Sequence, residues 1–122
     1  MLGHYNKIKI NMETNLMNLD ADQCKEIISK NNNVVIDVWA EWCGPCRMLK
    51  PVFEQVSNEM VEKNSDVQYY TFNVESDKSF AASLGIRSIP TVKSFSNKRE
   101  VTTQSGVMSE EQLKRLETYL IN

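Results

Sequence analysis

The sequence predicts an α/β domain with a central mixed β-sheet and helices on both faces. Three observations carry that prediction. Val34-Val35-Ile36-Asp37-Val38-Trp39 is β-branched and aromatic on both faces, the composition of a central strand covered from each side. Strand-like and helical patterns alternate through the middle of the chain, the signature of parallel strands joined by crossover helices. Nearer the C-terminus, Thr91 to Phe95 and Val101 to Gln104 bracket the polar turn Ser96-Asn97-Lys98-Arg99, which is short enough to make an antiparallel hairpin.

The elements follow in order. In the N-terminal stretch Ile8 and Ile10 alternate with Lys7 and Lys9, the pattern of an edge strand. From Asp20 the apolar positions Cys24, Ile27 and Ile28 recur at helical spacing, Gln23 stands three residues after the capping Asp, and Asn31-Asn32-Asn33 closes the helix. After the central strand a helix opens near Cys43 and runs through Leu49, Val52, Phe53, Val56 and Met60. Pro51 lies inside it and predicts a kink rather than two helices. Val67 to Val74 reads as a strand, and Asp77 to Leu84 as a short helix stopped by Gly85. Ser109 and Gln112 form a capping box ahead of Leu113, Leu116 and Leu120 on the face of a last helix.

Length and composition exclude several classes of function. The 122 residues allow one domain, and 41% hydrophobic with 25% charged residues is ordinary globular composition. Fourteen Lys and Arg against sixteen Asp and Glu give a net charge of −2, with no basic run, so neither nucleic acid nor an anionic membrane surface is an expected partner. Apolar runs such as Val34-Val35-Ile36 fall far short of the ~20 residues that span a bilayer. Residues 1–17 contain no apolar signal core, from which a cytoplasmic location is expected; an organellar form with its leader removed would read the same. Three cysteines argue against a fully paired extracellular scaffold. The one histidine, His4, offers no Cys-His pair, so chemistry must run on sulfur or carboxylates.

Trp42-Cys43-Gly44-Pro45-Cys46 places two thiols three residues apart where a strand hands over to a helix. Partial positive charge and free N–H groups at a helix start favour thiolate over thiol, which makes Cys43 the expected nucleophile and Cys46 the resolving thiol. The competing use of a C-x-x-C pair is metal binding, but only Cys24 and His4 remain as further ligands, so no metal is expected. Asp37 shares a face of its strand with Val35 and Trp39. There it is either a hydrogen-bonded core group or a general acid/base of raised pKa serving Cys46. Trp42 reads as a partly exposed wall beside the thiols, and Cys24 as a small buried hydrophobe. Pro90 must sit at a strand start or turn, and bare sequence favours a trans Ile89-Pro90 bond.

Ala40-Glu41-Trp42-Cys43-Gly44-Pro45-Cys46, with Asp37 and Trp39 upstream and Gly85-Ile86-Arg87-Ser88-Ile89-Pro90-Thr91 downstream, together resemble thioredoxins. Pro51 and Gly106 strengthen the likeness, which makes residues 18–122 the thioredoxin domain and 1–17 an N-terminal extension. The resemblance implies a thioredoxin fold, an active-site disulfide cycling between Cys43 and Cys46, and a cis Ile89-Pro90 bond. It also implies a docking groove formed by Trp42, Ile89, Pro90 and Gly106. Gly44-Pro45 matches the reducing members rather than the oxidases and isomerases. The implied activity is reduction of protein disulfides, with an NADPH-dependent thioredoxin reductase as electron source and no cofactor bound by the domain. The alternative is a thioredoxin-fold binding module in a larger complex, in which redox turnover is incidental. One departure concerns the lysine that thioredoxins commonly place near the buried aspartate: the matching residue is Thr71, so Asp37 is expected to be harder to ionise. Another is Asn97-Lys98-Arg99, where a glycine turn is frequent in the family.

Overall fold

The computed structural model describes residues 16–30 and 33–121. The Ile8 and Ile10 alternation and, of the expected helix end, Asn31 and Asn32 lie outside them, while Asn33 opens the next strand. The described chain begins with β1 (Met17–Leu19), α1 (Ala21–Lys30), β2 (Asn33–Trp39), α2 (Gly44–Glu62) and β3 (Gln68–Asn73). A 3-10 turn (Val74–Ser76), α3 (Lys78–Ser83), β4 (Thr91–Ser96), β5 (Arg99–Ser105) and α4 (Glu110–Ile121) complete it. The sheet order is β1-β3-β2-β4-β5, with β1, β3 and β2 parallel and β4 and β5 antiparallel to their neighbours. It is the mixed sheet expected, and β2 is its central strand. The strand at Met17–Leu19 is new: three residues with only Leu19 buried are too few to show an alternating pattern.

Side-chain alternation along β2 divides the core into two layers. Val35 and Val92 face α2 and α4, packing with Leu49, Phe53, Val56 and Leu113. Val34, Ile36 and Val38 face α1 and α3, packing with Cys24, Phe72 and Phe80. Helix ends lie where their capping residues specify. The Asp20 carboxylate accepts from the Gln23 N–H at 2.7 Å while the Gln23 side chain accepts from the Asp20 N–H at 2.9 Å. Ser109 and Gln112 repeat the exchange at 3.1 and 2.9 Å. α3 ends in a Schellman arrangement: Gly85 takes φ +77°, its N–H donates to Ala82 O, and the Ile86 N–H donates to Ala81 O. α2 runs unbroken through Pro51. The hairpin forms without glycine, Asn97 and Lys98 taking φ of 53° and 72° as a two-residue turn of the primed kind requires.

Candidate active site

The end of β2 and the start of α2 bring the two thiols together. Cys43 is the N-cap of α2, and Pro45 occupies the first turn, where its missing N–H costs no hydrogen bond. The Cys46 N–H donates to Cys43 Sγ at 3.1 Å, so an otherwise orphaned helix donor points at sulfur. Cys43 and Cys46 form a disulfide with their Cα atoms 5.2 Å apart. Both are buried, 5% and 3% exposed, in a small cluster with Ala40, against which Trp39, Val74 and Ile89 pack. A Cβ built on Gly44 would meet nothing within 4 Å, so the loop's outer side is open.

The Ile89-Pro90 bond is cis, as the resemblance implies and bare sequence did not. Ile89 is half-buried against the cysteines and its carbonyl oxygen lies 3.7 Å from Cys43 Sγ. Pro90 is buried, and its carbonyl accepts from the Gly106 N–H at 2.8 Å. Gly106 holds φ +92°, a region that a side chain would strain. Ile89, Pro90 and Gly106 are thereby linked into one strip that reaches Cys43 through the Ile89 carbonyl. Trp42 precedes Cys43 in the chain and is held by another element. It is 65% exposed, and its indole N–H donates to Glu75 in the 3-10 turn at 2.9 Å.

The other cysteine faces a different space. A cavity of about 730 Å³ is lined by Cys46, Asp37, Thr71, Asn18 and Trp39, with Glu41, Arg47, Lys50 and Glu54 also on its wall. Neither Cys43, Ile89 nor Pro90 lines it. Asp37 is 3% exposed and its Oδ1 has no protein hydrogen-bond partner. Burial pushes its carboxyl up to about 7, since loss of hydration penalises the anion. A merely structural buried carboxylate would be hydrogen-bonded, and Glu117 shows the contrast: Ser65 donates to it at 2.7 Å and the Tyr69 hydroxyl donates as well. Thr71, directly opposite Asp37 in the β2–β3 register, gives its hydroxyl proton to Asn18 at 2.8 Å.

Cys24 is fully buried on α1, and desolvation pushes its thiol up to about 12. It is far from reactive in that setting. Sequence reasoning overlooked Asn18 and Glu75. Each is an ordinary polar residue whose partner is distant in the chain, and no local pattern distinguishes it.

A thioredoxin family model matches residues 9–118. Thioredoxin of Rickettsia conorii is 35% identical over 102 residues, 84% of this chain and 92% of that protein. Thioredoxin of Haemophilus influenzae is 35% identical over 94 residues, 77% of this chain and 85% of its own length. Among solved structures, thioredoxin of Malassezia sympodialis superposes with a TM-score of 0.76 at 32% identity, covering 88% of this chain and 91% of that one.

Proposed function

The chain belongs to the thioredoxin family and is a thiol-disulfide oxidoreductase that reduces protein disulfides; on that premise we propose how its residues divide the work. In the dithiol state the Cys43 thiolate attacks one sulfur of a substrate disulfide. A Cys43–substrate disulfide forms and the other substrate sulfur leaves as a thiolate that takes up a proton. Cys46 then gives its proton to the Asp37 carboxylate and attacks Cys43 Sγ. The second substrate sulfur departs and takes up the proton held by Asp37, which restores the carboxylate, and the Cys43–Cys46 disulfide remains. Two electrons have passed to the substrate, with one proton from Cys46 by way of Asp37 and one from solvent, the counterpart of the proton Cys43 released on becoming a thiolate. Thioredoxin reductase restores the dithiol, and we assign NADPH as the ultimate donor and the cytoplasm as the compartment.

The single observation behind these roles is that the two sulfurs face different spaces. Cys43 lies at the helix N-terminus beside the Ile89 carbonyl, whereas Cys46 shares a cavity with Asp37. A nucleophile needs access to substrate and a stabilised anion; a resolving thiol needs a proton acceptor. Ile89, Pro90 and Gly106 would hold the substrate chain beside Cys43, Trp42 would form the outer wall, and Gly44-Pro45 set the poise of the pair.

The test is direct. Cys46→Ala should accumulate a stable mixed disulfide with a protein substrate, and Cys43→Ala should accumulate none; the reverse pattern would exchange the two roles. The equilibrium potential of the pair should lie near about −270 mV, the established value of thioredoxin itself, and a value near about −120 to −180 mV would make it an oxidant or isomerase.

A further inference from the structure

Asn18, Thr71 and Asp37 stand side by side across three adjacent strands. Thr71 is paired in register with Asn18 on one side and with Asp37 on the other, and all three line the same cavity. The Asn18 side-chain oxygen accepts twice, from the Trp39 indole N–H at 3.1 Å and from the Thr71 hydroxyl at 2.8 Å. A threonine hydroxyl has one proton to give. Given to Asn18, it is withheld from Asp37, whose Oδ1 is buried and without a protein partner. Trp39, two residues beyond Asp37 on the same face, fixes the Asn18 oxygen in place.

We propose that Asn18 is a positioning residue for disulfide exchange: anchored by Trp39, it turns the Thr71 hydroxyl away from Asp37 and keeps that carboxyl without a donor. A hydroxyl donated to the carboxylate would favour the anion and make it a weaker base towards Cys46. The titratable and charged groups around this cavity are Cys46, Arg47, Lys50 and Glu54 from α2 and Glu41 from the loop after β2. β4 presents Val92 opposite Asp37. No ion pair among the described residues includes Asp37, so the direction of one hydroxyl is a significant variable at the site. The inference rests on the reading of Asp37 as the proton acceptor for Cys46.

The experiment is a titration of the Asp37 carboxyl by carbon NMR in the full chain, oxidised form. Asn18→Ala should release the Thr71 hydroxyl and lower the Asp37 midpoint by about one pH unit. Thr71→Val should leave the midpoint where it is, and the double variant should return to the parent value. Asn18→Asp keeps both acceptor contacts but adds a negative charge two strands away, and should move the midpoint upward. The proposal is overturned if Asn18→Ala leaves the midpoint unchanged, or if its fall survives in the double variant. The pH profile of the resolving step in Asn18→Ala separates the two readings. A lowered midpoint with an unmoved profile removes Asp37 from the proton transfer, and with it overturns the role of Asn18 in exchange, leaving only its hold on the Thr71 hydroxyl.

Discussion

Cys24 and Cys43 are buried to almost the same degree, 0% and 5% exposed, yet their surroundings differ in kind. Cys24 is the fourth residue of α1, its side chain among Val34, Ile36 and Phe72 with no hydrogen-bond donor shown to its sulfur, and burial, helped by the nearby Asp20 charge, pushes its thiol up to about 12. Cys43 caps a helix, receives a backbone N–H, and is followed by Gly44, where a built Cβ would meet no atom within 4 Å. Depth of burial therefore does not separate a structural thiol from a working one. What separates them is whether the fold supplies hydrogen-bond donors and helix-end charge to the sulfur. The same contrast recurs with opposite sign between Asp37 and Glu117: the partnered carboxylate is the structural one, and the unpartnered carboxylate is the one beside the redox pair.

The comparison breaks most visibly in activity. Cys43→Ser should lower disulfide reduction by more than about 1000-fold, while Cys24→Ala should leave it unchanged, as followed by reduction of a protein disulfide. Alkylation of the reduced protein at pH 7 should label Cys43 and spare Cys24, whose pKa of about 12 leaves a thiolate fraction of about one in 10⁵. Labelling of Cys24 at a comparable rate would end the distinction.

Asp37 sharpens it through pH. Its folded pKa of about 7 lies above the unfolded value of about 3.9, so the folded state holds the extra proton between them. Stability should fall as pH rises from about 4 to about 7 and level off above. Asp37→Asn cannot ionise and should lose that slope, gaining roughly 2–3 kcal/mol relative to the parent between pH 5 and pH 8, read by denaturant unfolding. An identical slope in the variant would mean that Asp37 titrates normally. Glu117→Ala leaves the Ser65 and Tyr69 hydroxyls without their acceptor and should cost about 2 kcal/mol. The smallest effect is Cys24→Ser, which buries a hydroxyl among apolar side chains and should cost about 1–2 kcal/mol without changing turnover.

Much of the fold was legible because its signals are local. Both capping boxes, the Gly85 stop, the two-faced strand Val34 to Trp39 and the short hairpin turn are each specified within a few residues, and each forms as read. The strand at Met17–Leu19 was not legible, since its place depends on pairing with Tyr70, Thr71 and Phe72. In the site, Cys43, Cys46 and Asp37 were visible as a C-x-x-C motif and as a charge within an apolar strand. Trp42 was expected as a partly exposed wall beside the thiols; it is 65% exposed, and the Glu75 bond that pins it comes from 33 residues away.

By itself the sequence determined the alternation of strands and helices, the helix ends, the spacing of the two thiols and the presence of a carboxylate in the central strand. These depend on periods of two and 3.6 residues and on caps that act within one turn. The tertiary structure decided what each of those groups meets. Sheet register sets Asn18, Thr71 and Asp37 in one row, and the packing of α2 brings Cys46 to the same cavity as Asp37. The Gly106 N–H reaches the Pro90 carbonyl, and the Ile89 carbonyl reaches Cys43. Such contacts join residues far apart in the chain, where propensity and periodicity carry no information, and they decide what surrounds each thiol.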